Sequence, residues 1–265
     1  TDGGSAIGDK VLGWNDTVLS GISAPEKVGY DFKGWTYNGR TVAASTSYSA
    51  LAADDTVASI TLTAQWTAET YGITVADENG DGKEINSVNK GDVLGDGGSV
   101  KFEYDKAAKK GTLTLTNATL KSDDTFAINA EEMDILEIVL VGKNELRTCE
   151  ICIVANDLIF SGTGSAEIVG GFMWGIDCGA GGITVNGGNV TVTGESAVCV
   201  DDAVTVNGGT LTLIATDYYG MAIDAVADPV IAIGSDMTLV TGTESDGSDI
   251  TVTYETETEK IKAAR

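Results

Sequence analysis

Carboxylates recur at one position of a segment that is repeated in the C-terminal half of the sequence. Asp177 and Asp224 occupy equivalent positions, and Asp201 and Asp202 follow the same position of the segment between them. If the repeats stack about 4.8 Å apart, these carboxylates converge, and an all-oxygen ligand set is what Ca²⁺ prefers. The pattern predicts a calcium site formed by the four residues. The alternative is a solvated acidic edge that keeps the protein soluble.

A second acidic loop, DENGDG, begins at Asp77. Asp77, Asn79 and Asp81 take the first, third and fifth positions of an EF-hand-like loop, and Gly82 takes the sixth. The twelfth position is Val88, so the usual bidentate glutamate is missing. The loop therefore predicts either a weaker second calcium site or a simple turn stabilised by its Asp and Asn side chains.

Catalysis is not expected from these side chains. The chain has no histidine, which excludes Ser-His-Asp and Cys-His nucleophiles and His-ligated zinc. No lysine or arginine lies between Arg147 and Lys260, so the repeats lack the base and the cations that a polysaccharide lyase uses. The adjacent Asp201 and Asp202 leave an acid-pair glycoside hydrolase as an alternative, beside a calcium-dependent lyase.

Aromatic residues come shortly before two of the repeated strands. Phe172 and Trp174 precede one strand, and Tyr218 and Tyr219 precede another two repeats later. Their flat faces suit stacking on the apolar C–H surfaces of sugar rings, and the alternative is a hydrophobic lid over the core. We expect Phe172 to cover the core, and Trp174, Tyr218 and Tyr219 to form a carbohydrate-binding surface.

The four cysteines are Cys149, Cys152, Cys178 and Cys199. The first two have the CxxC spacing of redox proteins but lack the strand-to-helix context of a thioredoxin motif. We expect them to be either two small packing residues or a local disulfide. Cys178 falls in a column of alanines and is expected in the core.

The repeated segments predict the fold. Their alignment places one apolar residue of each segment in a single column, at spacings of 22 to 25 residues. The members of this column are Ile128, Ile153, Ile176, Val198 and Ile223. Each is followed by two more short strands, and two Asn-Gly-Gly triplets lie 21 residues apart. Three strands per coil predict an all-β parallel β-helix of about five coils, because only stacking buries the apolar side of each strand.

The remaining sequence divides the chain into three parts. Residues 1–70 hold three of the four tryptophans and are expected to form a small sheet with an aromatic core. Residues 71–126 alternate polar and apolar side chains and are expected to be the N-terminal cap and the first strands of the solenoid. Residues 127–265 are expected to form the parallel β-helix.

Charge and composition restrict the partners. With 40 acidic and 16 basic residues the net charge is −24, which disfavours nucleic acid and anionic membranes and favours cations. No apolar stretch reaches the ~18 residues that would span a bilayer, so membrane insertion is not expected. Thr-rich, Lys-poor strands and acidic Gly-Asp loops indicate an extracellular or cell-surface protein.

The N-terminal part resembles the internalin-type B repeat, also called the Listeria-Bacteroides repeat, of bacterial surface proteins. The resemblance is carried by Pro25, Gly29-Tyr30, Phe32, Gly34-Trp35 and Ala64-Gln65-Trp66. It implies a β-grasp-like fold and the role of a spacer or adhesive module.

Residues 71–254 are similar to clostridial surface proteins with carbohydrate-binding right-handed β-helix domains. The similarity is carried by GDVLGDGGSVKFEYDKAAKKGTLTLTNATL and by the later ITVNGG coils. It implies a right-handed β-helix that binds plant cell-wall polysaccharides, including acidic ones, and calcium. The calcium ligands would correspond to Asp177, Asp201, Asp202 and Asp224.

Together these observations predict a non-catalytic adhesin of a Gram-positive bacterium that binds polysaccharide, with Ca²⁺ bridging acidic sugars. The alternative is a structural stalk, or a surface that binds a host or cell-surface protein, with no glycan activity.

Overall fold

Strands make up nearly all of the regular structure of the chain. The computed structural model describes residues 1–123, 126–216, 222–224, 230–233, 252–255 and 260–263. Two units are separated by their internal contacts: Thr1–Glu69 with Asn86–Val88, and Thr70–Ile85 with Asn89–Arg265. Within the described part of the chain, no helix is both long and apolar enough to cross a membrane.

The first unit is a small antiparallel sheet with one turn of helix. Its elements are β1 (Tyr30–Tyr37), β2 (Arg40–Val42), α1 (Tyr48–Leu51) and β3 (Thr63–Ala68), with the strand order β2-β1-β3. Asn38 and Gly39 join β1 to β2 with φ angles of 46° and 76°, as a tight two-residue hairpin requires. The Phe32 ring contacts Trp35 and Trp66 edge-on at centroid distances of 5.4 and 5.5 Å. This unit is consistent with the small aromatic-cored domain that the sequence predicts.

The second unit is a parallel β-solenoid. Its strands are β4 (Thr70–Ala76), β5 (Gly82–Asn86), β6 (Val100–Asp105), β7 (Lys110–Thr116), β8 (Thr119–Ser122), β9 (Ile128–Val141), β10 (Lys143–Thr148), β11 (Ile153–Gly162), β12 (Ser165–Val169), β13 (Trp174–Asp177), β14 (Ile183–Val185), β15 (Asn189–Gly194), β16 (Ser196–Cys199), β17 (Ala203–Val206), β18 (Thr210–Ala215), β19 (Ile223–Asp224), β20 (Val230–Ile233), β21 (Val252–Glu255) and β22 (Lys260–Ala263).

Parallel pairing sorts most of these strands into three faces. Face A contains the first residues of β9 and β11, followed by β13, β16 and β19. Face B contains β7, the later parts of β9 and β11, then β14, β17 and β20. Face C contains β8, β10, β12, β15 and β18. One strand from each face makes one coil, and the predicted all-β solenoid of about five coils is confirmed.

The predicted apolar column is confirmed residue by residue on face A. Ile128 pairs with Ile153, which pairs with Ile176, and the register continues through Val198 to Ile223. The first four are completely buried and Ile223 is half-buried. Each coil supplies both the backbone partner and the apolar neighbour of the next coil, so the column is the spine of the core.

The Asn-Gly-Gly triplets form stacked corners between face B and face C. Asn207 donates from Nδ2 to Oδ1 of Asn186 at 2.9 Å. Gly209 has a φ of +77°, and a Cβ atom there would lie 2.0 Å from the carbonyl oxygen of Gly188. Such a corner requires glycine because the backbones of successive coils approach too closely for any side chain. The 21-residue interval is therefore one coil.

The strands before residue 127 both close and begin the solenoid. β4 pairs antiparallel with the start of β9, and β6 pairs antiparallel with β7. β7 and β8 already run parallel to the next coil, on face B and face C respectively. The antiparallel strands give the first coil neighbours of opposite direction, which covers the N-terminal end of the parallel ladder.

Candidate functional site

The acidic residues singled out from the sequence lie on the outer side of face A. Asn129, Val154, Asp177, Cys199 and Asp224 are consecutive partners in the parallel register, and we call them the outer column. All five are half-buried. They point outward because strand side chains alternate, and the residue before each of them in the sequence packs in or against the core.

Asp177 and Asp224 are separated by a thiol. Cys199 lies between them in the outer column, so the two carboxylates are two strand spacings apart, about 10 Å. The Cys199 thiol lies close enough to the Asp177 carboxylate for that charge to raise its pKa. Oδ1 of Asp177 also accepts the N–H of Gly179 at 2.9 Å. The column is therefore a row of side chains at strand spacing rather than a set of carboxylates that face one another.

The pKa of Cys199 reflects this environment. Burial raises the pKa of the thiol to about 12, and the negative charges of Asp177 and Asp224 act in the same direction. A thiol with such a pKa stays protonated at neutral pH, so it is neither a nucleophile nor a soft-metal ligand there.

Trp174 joins the row from the start of β13. Its indole Nε1 donates to Oδ2 of Asp224 at 3.0 Å. Because β16 lies between β13 and β19 in the sheet, the indole crosses β16 to make this contact. The hydrogen bond uses the polar edge of the ring and fixes its orientation, which leaves the ring faces for packing or for a ligand.

The two residues before Trp174 are exposed apolar side chains. Phe172 is 72% exposed and Met173 is 42% exposed. Gly171 and Phe172 hold the chain in place by donating their N–H groups to the carbonyls of Glu150 and Cys149. We call Phe172, Met173 and Trp174 the aromatic corner.

One expectation about this corner is wrong. Phe172 does not fold over the core, because the bend before β13 leaves its side chain 72% exposed to solvent. Trp174 lies on the outer side of the face, as a carbohydrate-stacking residue would require. Tyr218 and Tyr219, the other predicted stacking residues, lie outside the described residues.

Asp201 and Asp202 follow β16 at the next corner. Their N–H groups donate to the carbonyls of Gly179 and Gly181 at 2.8 and 3.3 Å, which stacks this corner on that of the coil before. The Asp201 charge also contributes to the raised pKa of Cys199, so this carboxylate lies near the outer column. Asp202 is exposed.

These carboxylates do not form a preformed calcium cage. Within the described ranges no group of three or more Asp, Glu or Cys side chains is close enough to hold a metal ion. The spacing of Asp177 and Asp224 gives the reason, since Ca²⁺ needs six to eight oxygens at about 2.3–2.6 Å. No three of these carboxylates therefore meet at one point, and binding of calcium stays a prediction for experiment.

The DENGDG loop has the geometry of the simple turn. Oδ1 of Asp77 accepts the N–H groups of Asn79 and Asp81 at 2.8 and 3.1 Å. The Lys83 ammonium lies 3.5 Å from Oδ2 of Asp77 and 4.0 Å from the Asp81 carboxylate. The backbone hydrogen bond from Asn79 is the main cause that lowers the pKa of Asp77. The Lys83 ammonium therefore lies where the Asp77 and Asp81 carboxylates would attract a metal cation.

All four cysteines are free thiols in the structure. Cys152 and Cys178 are buried, and burial raises the pKa of both thiols. Cys149 is half-buried and its Sγ lies 3.0 Å from the carbonyl oxygen of Asp123. Cys149 and Cys152 are therefore not joined by a disulfide in the structure, and Cys152 is a packing residue of the core.

The fold and the corner define a class, a parallel β-solenoid whose outer face carries an aromatic corner beside a row of carboxylates. Comparison with known families, with curated proteins and with solved structures finds no match for this chain.

Proposed function

We propose that this protein is a secreted or cell-surface, non-catalytic carbohydrate-binding protein that serves in adhesion. The glycan contacts the aromatic corner, with carboxylates of the outer column alongside. The proposal is carried by one observation: an exposed Phe172 lies two residues from a Trp174 whose indole is locked in place by Asp224.

The exposed Phe172 and Met173 beside Trp174 are a candidate contact surface, because large apolar side chains grouped on a surface often mark a binding site. Sugar rings match the corner chemically. Their C–H faces are apolar and suit aromatic faces, while their hydroxyls donate hydrogen bonds that carboxylate oxygens accept. A ring held in one orientation also loses less conformational entropy when it binds.

The groups around the corner support a non-catalytic role. No lysine, arginine or histidine occurs between Arg147 and Lys260, so no cationic acid or base from these coils faces a bound sugar. The thiol of Cys199 is held protonated by its raised pKa. Incubation with polysaccharide followed by reducing-end and unsaturated-product assays tests the hydrolase and lyase alternatives.

Affinity electrophoresis tests the binding function. The native protein should be retarded in gels that contain soluble polysaccharide, and the double variant Phe172→Ala, Trp174→Ala should migrate as in a gel without glycan. Ile214→Ala is the matched control, because Ile214 is a comparably exposed apolar residue, 43%, on face C. It should be retarded like the native protein.

The same gels separate the alternatives. Unchanged migration of the native protein with neutral and with acidic polysaccharides, both with calcium and with EDTA, would contradict the proposal. The structural stalk or protein-binding surface would then be the better account. If the double variant is still retarded, Phe172 and Trp174 are not needed for binding, and the glycan binds elsewhere on the chain.

A further inference from the structure

The coils around the aromatic corner carry charge of one sign. Between residues 148 and 224 the described part of the chain contains eight acidic side chains and no basic one. They are Glu150, Asp157, Glu167, Asp177, Glu195, Asp201, Asp202 and Asp224. The two nearest cations in the sequence, Lys143 and Arg147, are already paired with Glu145 and Glu167 at 3.0 and 2.6 Å.

Several of these charges lie at the corner itself. The Asp224 carboxylate accepts a hydrogen bond from the Trp174 indole, and Asp177 follows Trp174 on the same strand. Glu195 is exposed and adjoins Ser196, whose N–H donates to the carbonyl of Met173 at 3.1 Å. A ligand on the corner therefore meets the Asp224 carboxylate directly, and Asp177 and Glu195 belong to the strand of the corner and to the bend that contacts it.

This arrangement discriminates between two classes of glycan. A uronate polysaccharide brings carboxylates of its own, and the described residues of these coils include no basic side chain to pair with them. The described residues also hold no cluster of three acidic side chains that would bind Ca²⁺ by themselves. A neutral polysaccharide meets no such repulsion. Its hydroxyls act as donors to the carboxylates, and its ring faces pack on Phe172 and Trp174.

We infer that the aromatic corner binds neutral polysaccharide and excludes acidic polysaccharide, and that binding needs no calcium. This inference rests on the proposed function and specifies its ligand class. Asp177 and Asp224 serve as acceptors for sugar hydroxyls through the oxygens that Gly179 and Trp174 do not use, while Glu195 contributes only negative potential.

Gel retardation coefficients measured on matched glycans test the inference. Hydroxyethylcellulose and unsubstituted xylan are the neutral probes, and polygalacturonate is the acidic probe. Each gel is run with EDTA or with CaCl₂ at about 2 mM, which is in the millimolar range of weak extracellular calcium sites. The native protein should bind a neutral probe equally with calcium and with EDTA, and should not bind polygalacturonate. Phe172→Ala with Trp174→Ala should weaken neutral binding about tenfold or more, equivalent to ~1.4 kcal/mol.

Glu195→Gln is the charge control. It should leave binding of the neutral probe within about twofold, because a ΔΔG below ~0.4 kcal/mol corresponds to that change. Circular dichroism of each variant confirms that the strands are intact.

The outcomes distinguish failure of the inference from failure of the proposed function. Calcium-dependent binding of polygalacturonate that is as strong as neutral binding overturns the inference and leaves a carbohydrate-binding protein. Absence of binding to all three probes overturns both. Neutral binding that is lost with EDTA overturns the statement that calcium is not needed.

Discussion

The indole Nε1 of Trp174 lies 3.0 Å from a carboxylate oxygen of Asp224, although 50 positions separate the two residues in the chain. The contact spans three coils, since β13 and β19 are separated by β16. A single side chain therefore both orients the exposed corner and ties the later coil to the earlier ones.

Loss of this hydrogen bond should loosen the indole. Asp224→Ala is expected to lower the free energy of unfolding by about 1 kcal/mol and to shift tryptophan emission to longer wavelength. The shift reports Trp174 because the other three tryptophans lie in the first unit. Asp224→Asn keeps an acceptor oxygen and should lose less than half as much. Equal losses in urea unfolding for Ala and Asn would show that the charge, not the hydrogen bond, matters.

The thiol of Cys199 should be unreactive despite its partial exposure. With a pKa of about 12, the thiolate fraction at pH 8 is about one part in ten thousand, and alkylation requires the thiolate. Mass spectrometry after iodoacetamide treatment at pH 8 should find Cys199 unmodified while the protein is folded. Asp177→Asn removes a neighbouring negative charge and should speed the reaction. Modification of Cys199 in the native protein at the rate of a small free thiol contradicts the assignment.

The stacked corner should not accept a side chain. Gly209→Ala adds a Cβ atom 2.0 Å from the Gly188 carbonyl at a φ of +77°, and we expect a loss of about 2 kcal/mol or more. Gly95→Ala is the matched control, because Gly95 has a φ of +73° but no neighbouring atom within 4 Å. That variant should lose only the conformational cost of about 1 kcal/mol. Urea unfolding of the two variants measures the difference, and equal losses would show that the close approach contributes nothing.

One ion pair on face B should make stability depend on pH. Lys110 donates to Glu137 at 2.6 Å and Ser161 donates to its other oxygen at 2.6 Å. The hydrogen bond from Lys110, and next that from Ser161, lowers the pKa of Glu137. Because the folded pKa is depressed, this stabilisation is present above the unfolded value of about 4.3 and is lost as pH falls through the folded pKa.

Replacing the lysine isolates that contribution. Lys110→Met should be less stable than the native protein at pH 7, and the difference in urea midpoint should shrink toward zero below about pH 4. Lys143→Met is the control, since Lys143 forms an exposed pair with Glu145 and such pairs contribute little. A difference for Lys110→Met that is constant from pH 7 to pH 3 would assign the effect to packing of the lysine stem.

The apolar column could be predicted from the sequence because its spacing and the alternation of its side chains both follow from the stacking of coils. Ile176 must point inward when Asp177 points outward, and a 22-to-25-residue interval leaves one way to stack the coils. The side of the sheet on which Asp177, Cys199 and Asp224 lie followed directly from this alternation.

The conformation of the aromatic corner could not be predicted from side-chain alternation. Alternation does not extend through the bend before β13, so the direction of the Phe172 side chain was predicted wrongly. The Trp174 to Asp224 hydrogen bond depends on a rotamer that crosses a strand, which no spacing indicates. Convergence of carboxylates was expected from strand spacing alone, but outward residues of one column lie side by side at fixed intervals.

One buried polar residue could have been predicted from the sequence pattern. Asn144 is completely buried on β10, where its partner on the next coil is Ala166. Its side chain accepts the N–H of Ala118 at 2.8 Å and donates to the carbonyl of Ser165 at 3.0 Å. An asparagine in an otherwise apolar column indicates such a bridge, because a buried amide needs partners for both its oxygen and its nitrogen.

The glycine corners restrict the lengths of insertion and deletion that this chain can accept. An insertion of a few residues within this corner would displace Gly209 from Gly188. Insertion or deletion of one whole coil leaves each remaining neighbour pair intact, because each coil contacts only the next. Homologous solenoids are therefore expected to differ in length by whole coils, with small insertions confined to exposed bends such as the one that carries Phe172.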